Sequence, residues 1–255
     1  MRSTLSKAAI ESEMNTRFAS AFKLHEKATP EVLSTGLAEV DFITGGLPRG
    51  AITEIFGPAS SGRMSLMLSS LAYATNHDEV CALVDTNDAL DPLSAADAGV
   101  DLDQLLWIRC AANIEQAFKA TDLLLQSGGF GLVVLDIGDV PLQSARRIIS
   151  SWWYRFRRVV ENSPTALVVI AQGSCVGSCA SQMLEMKREA EVWSSLSGRN
   201  QVPGGCQEPD TRSQKRLIDY SPSPHLLRGM QLHLERQKPI QLTEREVRFG
   251  AEVNS

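Results

Sequence analysis

Five short runs of apolar residues recur along the middle of the chain, separated by longer stretches in which apolar positions return every three or four residues. Ala51–Phe56, Val80–Asp85, Leu105–Arg109, Leu132–Asp136 and Ala166–Ile170 are apolar almost throughout rather than at alternate positions. That is the pattern of strands covered on both faces. Met64–Ala74 and Ile114–Gln126 have helical spacing, the second stopped by Gly128-Gly129, and a further helix is predicted over about Leu142–Glu161. Strands alternating with helices predict an α/β fold with a mainly parallel central sheet and helices on both faces.

The two ends differ from this middle. Residues 1–30 read as a helical extension closing at Ala28-Thr29-Pro30, with Ile10, Met14, Phe18 and Phe22 repeating every four residues as an apolar stripe. Such a stripe is expected to dock onto another protein, the alternative being a fold-back onto its own core. After Gln172 the pattern loosens. Gln182–Arg188 and Met230–Glu235 read as half-exposed strands, and about Ser194 to Pro224 is rich in Gly, Pro, Ser and charge. The expected organisation is therefore an extension over 1–30, a core over 31–193, a flexible insertion over 194–224, and strands completing the core over 225–255.

Composition narrows the function classes. The formal net charge is −5, so no global positive field attracts nucleic acid and any such contact needs a local patch. No run of about 18 apolar residues is present and the first residues lack the apolar core of a signal peptide, which predicts a cytoplasmic protein without membrane contact. The cysteines Cys81, Cys110, Cys175, Cys179 and Cys206 have no zinc-type spacing and are expected to be reduced thiols.

Chemistry concentrates in Gly57-Pro58-Ala59-Ser60-Ser61-Gly62-Arg63-Met64-Ser65, between a predicted strand and a predicted helix. A phosphate-binding loop has two glycines at this spacing followed by Lys and Ser/Thr. Its glycines turn backbone N–H groups toward an anion at a helix N-terminus. Here Arg63 replaces the compact ammonium with a planar fork. Met64 replaces the magnesium-ligating hydroxyl, and a thioether is a poor magnesium ligand. Ser65 is rotated by about 100° from that position and does not substitute for it. The alternative is an ordinary Gly/Ser turn ahead of a helix. Asp136, ending an apolar strand, stands where the second carboxylate of such a site holds magnesium directly or through water.

With these residues in place, a resemblance extends across most of the chain. Ser34-Thr35-Gly36, Gly45–Gly50, Thr53–Pro58 and Ser60–Gly62 resemble the opening of the bacterial RecA recombinase core. Val84-Asp85, Asp88–Pro92 and Ala98–Leu106 continue the resemblance in order. It implies a RecA-like P-loop NTPase core that binds ATP and Mg. Asp136 matches the family's second carboxylate, and Ala171-Gln172 its Asn-Gln switch. Asp91 matches the residue that contacts adenine, while Ser94 replaces the aromatic packed on it. Asn87 falls at the catalytic-glutamate position, and an amide is no general base. Arg236 and Lys238 match the two lysines that reach a neighbouring protomer's nucleotide.

The resemblance also implies a partner set. The family's DNA loops are shortened here. Nearby, Arg146, Arg147, Arg155, Arg157 and Arg158 interleave with Trp152, Trp153 and Phe156, either as phosphate contacts and stacking platforms for single-stranded DNA or as a core-packed helix with solvated arginines. Shortened relatives with altered sites resemble the ImuA-type accessory factors of mutagenic translesion synthesis, in which the fold is a platform for partners. The expectation is a DNA-repair accessory protein of the bacterial DNA-damage (SOS) response, with weak or absent ATP hydrolysis. Its expected partners are a translesion polymerase, a RecA-type filament or a second copy of itself. The alternatives are an active DNA-dependent ATPase and recombinase, or a regulator on the same fold with no DNA role.

Overall fold

Because successive side chains of a strand point to opposite faces, an all-apolar strand needs packing on both sides. The computed structural model describes residues 31–147, 150–195, 225–239 and 246–252, and it meets that requirement with one eight-stranded sheet. A small antiparallel pair, β1 (Val32–Leu33) and β2 (Leu47–Pro48), flanks α1 (Ala38–Thr44). Next come β3 (Ala51–Phe56), α2 (Arg63–Thr75), β4 (Cys81–Asp85), α3 (Pro92–Asp97), β5 (Leu105–Arg109) and α4 (Ile114–Ser127). β6 (Leu132–Asp136), α5 (Leu142–Arg146), α6 (Ser150–Val160) and β7 (Ala166–Ala171) follow. The chain ends with β8 (Gln182–Ser195), β9 (His225–Lys238) and β10 (Glu246–Glu252).

The sheet order is β10-β9-β8-β3-β7-β6-β4-β5. Every pairing from β8 to β5 is parallel, and β9 and β10 are added antiparallel. One face packs Ile55, Leu83, Val134, Val168 and Leu184 against Leu66, Met67, Leu71 and Ala74 of α2 and Val40 and Ile43 of α1. The other packs Ile52, Val84, Val133, Leu135 and Val169 against Ala117, Phe118 and Leu125 of α4 and Trp153, Phe156 and Val160 of α6. Adjacent residues of one strand thus serve opposite layers, which is why those strands carry no polar alternation.

The five strands β3 to β7 lie where their apolar runs place them, with β5 at the sheet edge. The helix expected over Leu142–Glu161 is divided in two, with Arg147 closing the first part in a turn. β8 and β9 run well beyond the expected strands, pairing from Met183↔Lys238 to Ser195↔His225. α1 and β10 lack a signal in the hydrophobic pattern, being a seven-residue helix and a charged edge strand. The extension 1–30 with its Ile10–Phe22 stripe, and residues 196–224 of the expected insertion, lie outside the described residues. Among the described residues no helix is long and apolar enough to cross a membrane.

Candidate functional site

In parallel α/β sheets ligands gather at the carboxyl ends of the strands, and the registers bring the motifs of interest together there. Phe56 pairs with Ala171, Ile170 with Asp136, and Asp136 with Asp85. The Gly57–Gly62 turn, Asp136 and the Ala171-Gln172 step therefore share one end of the sheet.

Two glycines make the turn possible. A side-chain carbon on Gly57 would lie 2.2 Å from the carbonyl oxygen of Met186, so β8 can pass this close only to a glycine. Gly62, with φ 86°, is the left-handed N-cap of α2, and Leu232 of β9 fills the space a side chain would need. Pro58, Ala59 and Ser60 form an exposed tip. Ser61 is buried, and its hydroxyl has no hydrogen-bond partner among the described residues. An unpartnered buried hydroxyl inside a turn at a helix N-terminus suits an anion.

The next residue changes the site's character. Arg63 is 8% exposed, and its Nη1 donates to the carbonyl oxygens of Ala171 and, at 3.4 Å, Gly138. Burial lowers its pKa from the usual value, while Asp136 and Asp139 oppose that shift. Met64 packs partly into the α2-side core, and Ser65 is half-buried. Asp136 is also buried, and among the described residues its carboxylate accepts from Gly138 N at 2.7 Å. Burial pushes its carboxyl up to about 6 and Asp85 adds to this, while the Gly138 N–H and Arg63 pull it down. A side-chain carbon on Gly138 would lie 2.9 Å from Asp136 Oδ1 and 3.2 Å from Arg63 Nη1, so carboxylate and guanidinium face one another across this glycine.

The indentation bordered by Arg63, Met64, Ala89, Asp136 and Ile170 is about 50 Å³. That is room for a few waters, against the roughly 300 Å³ or more of a small-molecule pocket. A divalent cation such as the family's Mg wants oxygen donors in a tight octahedron. The lining offers the carboxylates of Asp136 and Asp139 beside the Met64 thioether and the Arg63 guanidinium, a set that falls short of that octahedron.

The other candidates are distributed unevenly. Asn87 is exposed, its backbone N–H donating to Asp85 Oδ1 at 3.3 Å. Asp91 is exposed and caps α3, accepting from Ser94 N at 3.0 Å and Ser94 Oγ at 2.6 Å, and the Ser94 hydroxyl lowers its pKa. Gln172 is exposed. Arg236 is 2% exposed and donates to the carbonyl of Ile43, while Lys238 donates to the carbonyl of Ala180. Both are engaged with this chain's own backbone, and a reach to a neighbouring protomer requires them to leave it.

On the opposite face the arginine cluster divides. Arg155 forms an ion pair with buried Asp122 of α4 and lies over the Trp152 ring, and Arg157 pairs with Glu161. Arg147 and Arg158 are exposed. Trp153 and Phe156 are core residues against Phe118, the first edge-on and the second stacked, whereas Trp152 is half-buried at a groove of about 520 Å³ shared with Ile114, Phe118, Lys119 and Arg147. For Trp153 and Phe156 the core-packing alternative describes the helix. Arg146 belongs to α5, and its side chain is outside the description.

Two residues escaped the sequence reading. Glu54, fully buried in β3, accepts from Ser174 Oγ at 3.0 Å, Val176 N at 2.9 Å and Cys175 N. Asp85 accepts from Asn87 N, Ala89 N, Leu90 N and Trp107 Nε1, shaping the turn after β4. The signal for Glu54 was present, since a carboxylate inside an apolar strand requires buried partners. Cys81, Cys110, Cys175 and Cys179 are free thiols, and burial raises the pKa of Cys175. Among the described residues no His, Cys, Asp or Glu cluster can hold a metal.

These features occur on a fold with known relatives. The RecA N-terminal domain family matches residues 4–145, more than half of the chain, and the chain belongs to that family. It is 38% identical over 158 residues to Protein RecA of Ectopseudomonas oleovorans, covering 56% of this chain and 45% of that protein. It is 36% identical over 158 residues to Protein RecA of Wigglesworthia glossinidia brevipalpis, covering 56% and 47%. The match thus spans just under half the length of these relatives. A crystal structure of the RadB recombinase superposes with a TM-score of 0.51 at 19% identity, over 61% of this chain and 83% of that one, and shares the fold.

Proposed function

We propose that this protein is an accessory component of DNA repair in the bacterial DNA-damage response, with a degenerate nucleotide site and a cytoplasmic place of action. The carrying observation is the pair at the start of α2. Arg63 is buried on the Ala171 carbonyl, and Met64 stands where a metal-ligating hydroxyl belongs. With Asn87 at the water-orienting position, the site holds ATP weakly and hydrolyses it poorly or not at all. The turn and the buried Ser61 hydroxyl keep an affinity for phosphate. On this reading the fold works by contact: with a translesion polymerase, a RecA-type filament or its own copies, and with single-stranded DNA through Arg147 and Arg158.

Phosphate release in the presence and absence of single-stranded DNA separates this reading from an active recombinase. Co-purification with a translesion polymerase from DNA-damaged cells separates it from a regulator without a DNA role. Background turnover together with retained polymerase is the expected result. Vigorous DNA-stimulated turnover contradicts it.

A further inference from the structure

The last residue of β7 and the backbone that follows it are held at two points by buried charged side chains of this chain. At the first, the carbonyl of Ala171 accepts from Gly57 N at 3.3 Å and from the Arg63 guanidinium. A few residues on, both carboxylate oxygens of Glu54 take up Ser174 Oγ, Cys175 N and Val176 N. Arg63 also reaches Gly138 O, which ties in the turn after β6. One guanidinium thus joins the start of α2 to the ends of β6 and β7, and one carboxylate joins β3 to the segment beyond. Charge-assisted hydrogen bonds in a buried setting are the strong ones, and leaving either partner unpaired is costly.

We propose that Arg63, a cation fixed on the carbonyl that ends β7, acts with Glu54 to hold Gln172–Val176 in one conformation whether or not nucleotide is present. The inference rests on the reading of the nucleotide site as degenerate. A ligand shifts a segment only as far as it binds one of its states better than another. The carbonyl that ends β7 is already taken by a group fixed to α2. An incoming divalent ion meets the guanidinium and the Met64 thioether beside the Asp136 and Asp139 carboxylates. A partner that recognises Gln172–Val176 therefore meets a single state, and Arg63 is a positioning residue rather than a catalytic one.

Amide hydrogen exchange on the full chain tests this. In the unmodified protein, the Ser174–Val176 amides are expected to exchange at the same rate with EDTA and with saturating Mg·ATP. In Arg63→Gln, whose side chain is uncharged and shorter, these amides exchange about ten- to a hundredfold faster, while the β6 and β7 amides stay protected. Should Arg63→Gln fail to melt cooperatively, Arg63→Lys replaces it. The lysine keeps the charge but loses the fork, so exchange at the same amides still quickens. A double variant, Arg63→Lys with Met64→Thr, makes exchange in the segment depend on Mg·ATP. Protection of the segment by Mg·ATP in the unmodified protein overturns the proposal, as does unchanged exchange in a folded Arg63 variant. The readouts stay distinct. Turnover of ATP with an unresponsive segment sinks the degenerate-site reading alone, and a responsive segment without turnover sinks only this inference.

Discussion

Two buried carboxylates of the central sheet, Glu54 in β3 and Asp136 in β6, sit in contrasting surroundings with β7 between them. Glu54 accepts three hydrogen bonds from the segment after β7, so its charge is fully used inside the protein. Among the described residues Asp136 accepts one, from Gly138, and burial pushes its proton affinity up to about pH 6. The first has become part of the architecture. The second keeps the geometry of a ligand-facing carboxylate, with Arg63 as the cation on its far side. On the proposed reading, the RecA frame persists as backbone shape while its charges are reassigned from ligand to protein.

The sharpest way to break that contrast is to remove Glu54. Glu54→Ala leaves two N–H groups and a hydroxyl without their acceptor, and should lower the unfolding free energy by about 3–5 kcal/mol. Urea denaturation checks this, and a loss below about 1 kcal/mol would show that the segment after β7 has other support.

Asp136 should behave differently and depend on pH. Its folded-state value is raised, so the folded chain holds this proton more tightly than the unfolded chain. That contribution to stability is fully present below about pH 4 and is lost as pH rises through about 6. Asp136→Asn removes the loss. Unfolding free energies at pH 4 and pH 7 should differ by about 1–3 kcal/mol less in the variant than in the parent. An identical pH dependence would mean that Asp136 is ionised without penalty.

The smallest effects belong to the opposite face. Arg155 is half exposed beside buried Asp122, so Arg155→Ala should cost about 1 kcal/mol or less in stability, diminishing in high salt. Because Arg155 and Arg157 are already paired, Arg147→Ala and Arg158→Ala should weaken single-stranded DNA retention more than Arg157→Ala does. Each should reduce the salt slope of binding by about 0.7. Equal effects at all three positions would show that DNA displaces the Arg157–Glu161 ion pair.

What the sequence disclosed and what it hid follow from range. Val133, Val134 and Leu135 announce a strand locally because burial on both faces removes alternation, and Gly57 and Gly62 announce a turn because their spacing is fixed. That Gly57 is needed for the approach of Met186, and Gly62 for Leu232, depends on contacts across more than 120 residues, which no local pattern carries. The same holds for Arg63. Its identity was legible as a departure from lysine, but its burial on Ala171 and Gly138 arises only when β6 and β7 are brought side by side. The resemblance gave Arg236 the part of a cation for a neighbour, yet the register of β9 on β8 turns it toward Ile43.

On the proposed reading, the changed residues at the start of α2 and after β4 deprive a retained RecA frame of efficient nucleotide chemistry. The most direct test is steady-state phosphate release with Mg·ATP and single-stranded DNA, comparing the unmodified chain with Arg63→Lys, Met64→Thr, Asn87→Glu combined. Losing one positioned catalytic group commonly costs about 10²–10³-fold. The account therefore predicts turnover near background in the unmodified chain and a rise of at least about tenfold in the triple variant. Vigorous magnesium-dependent hydrolysis by the unmodified chain, unchanged or reduced in the triple variant, would contradict it.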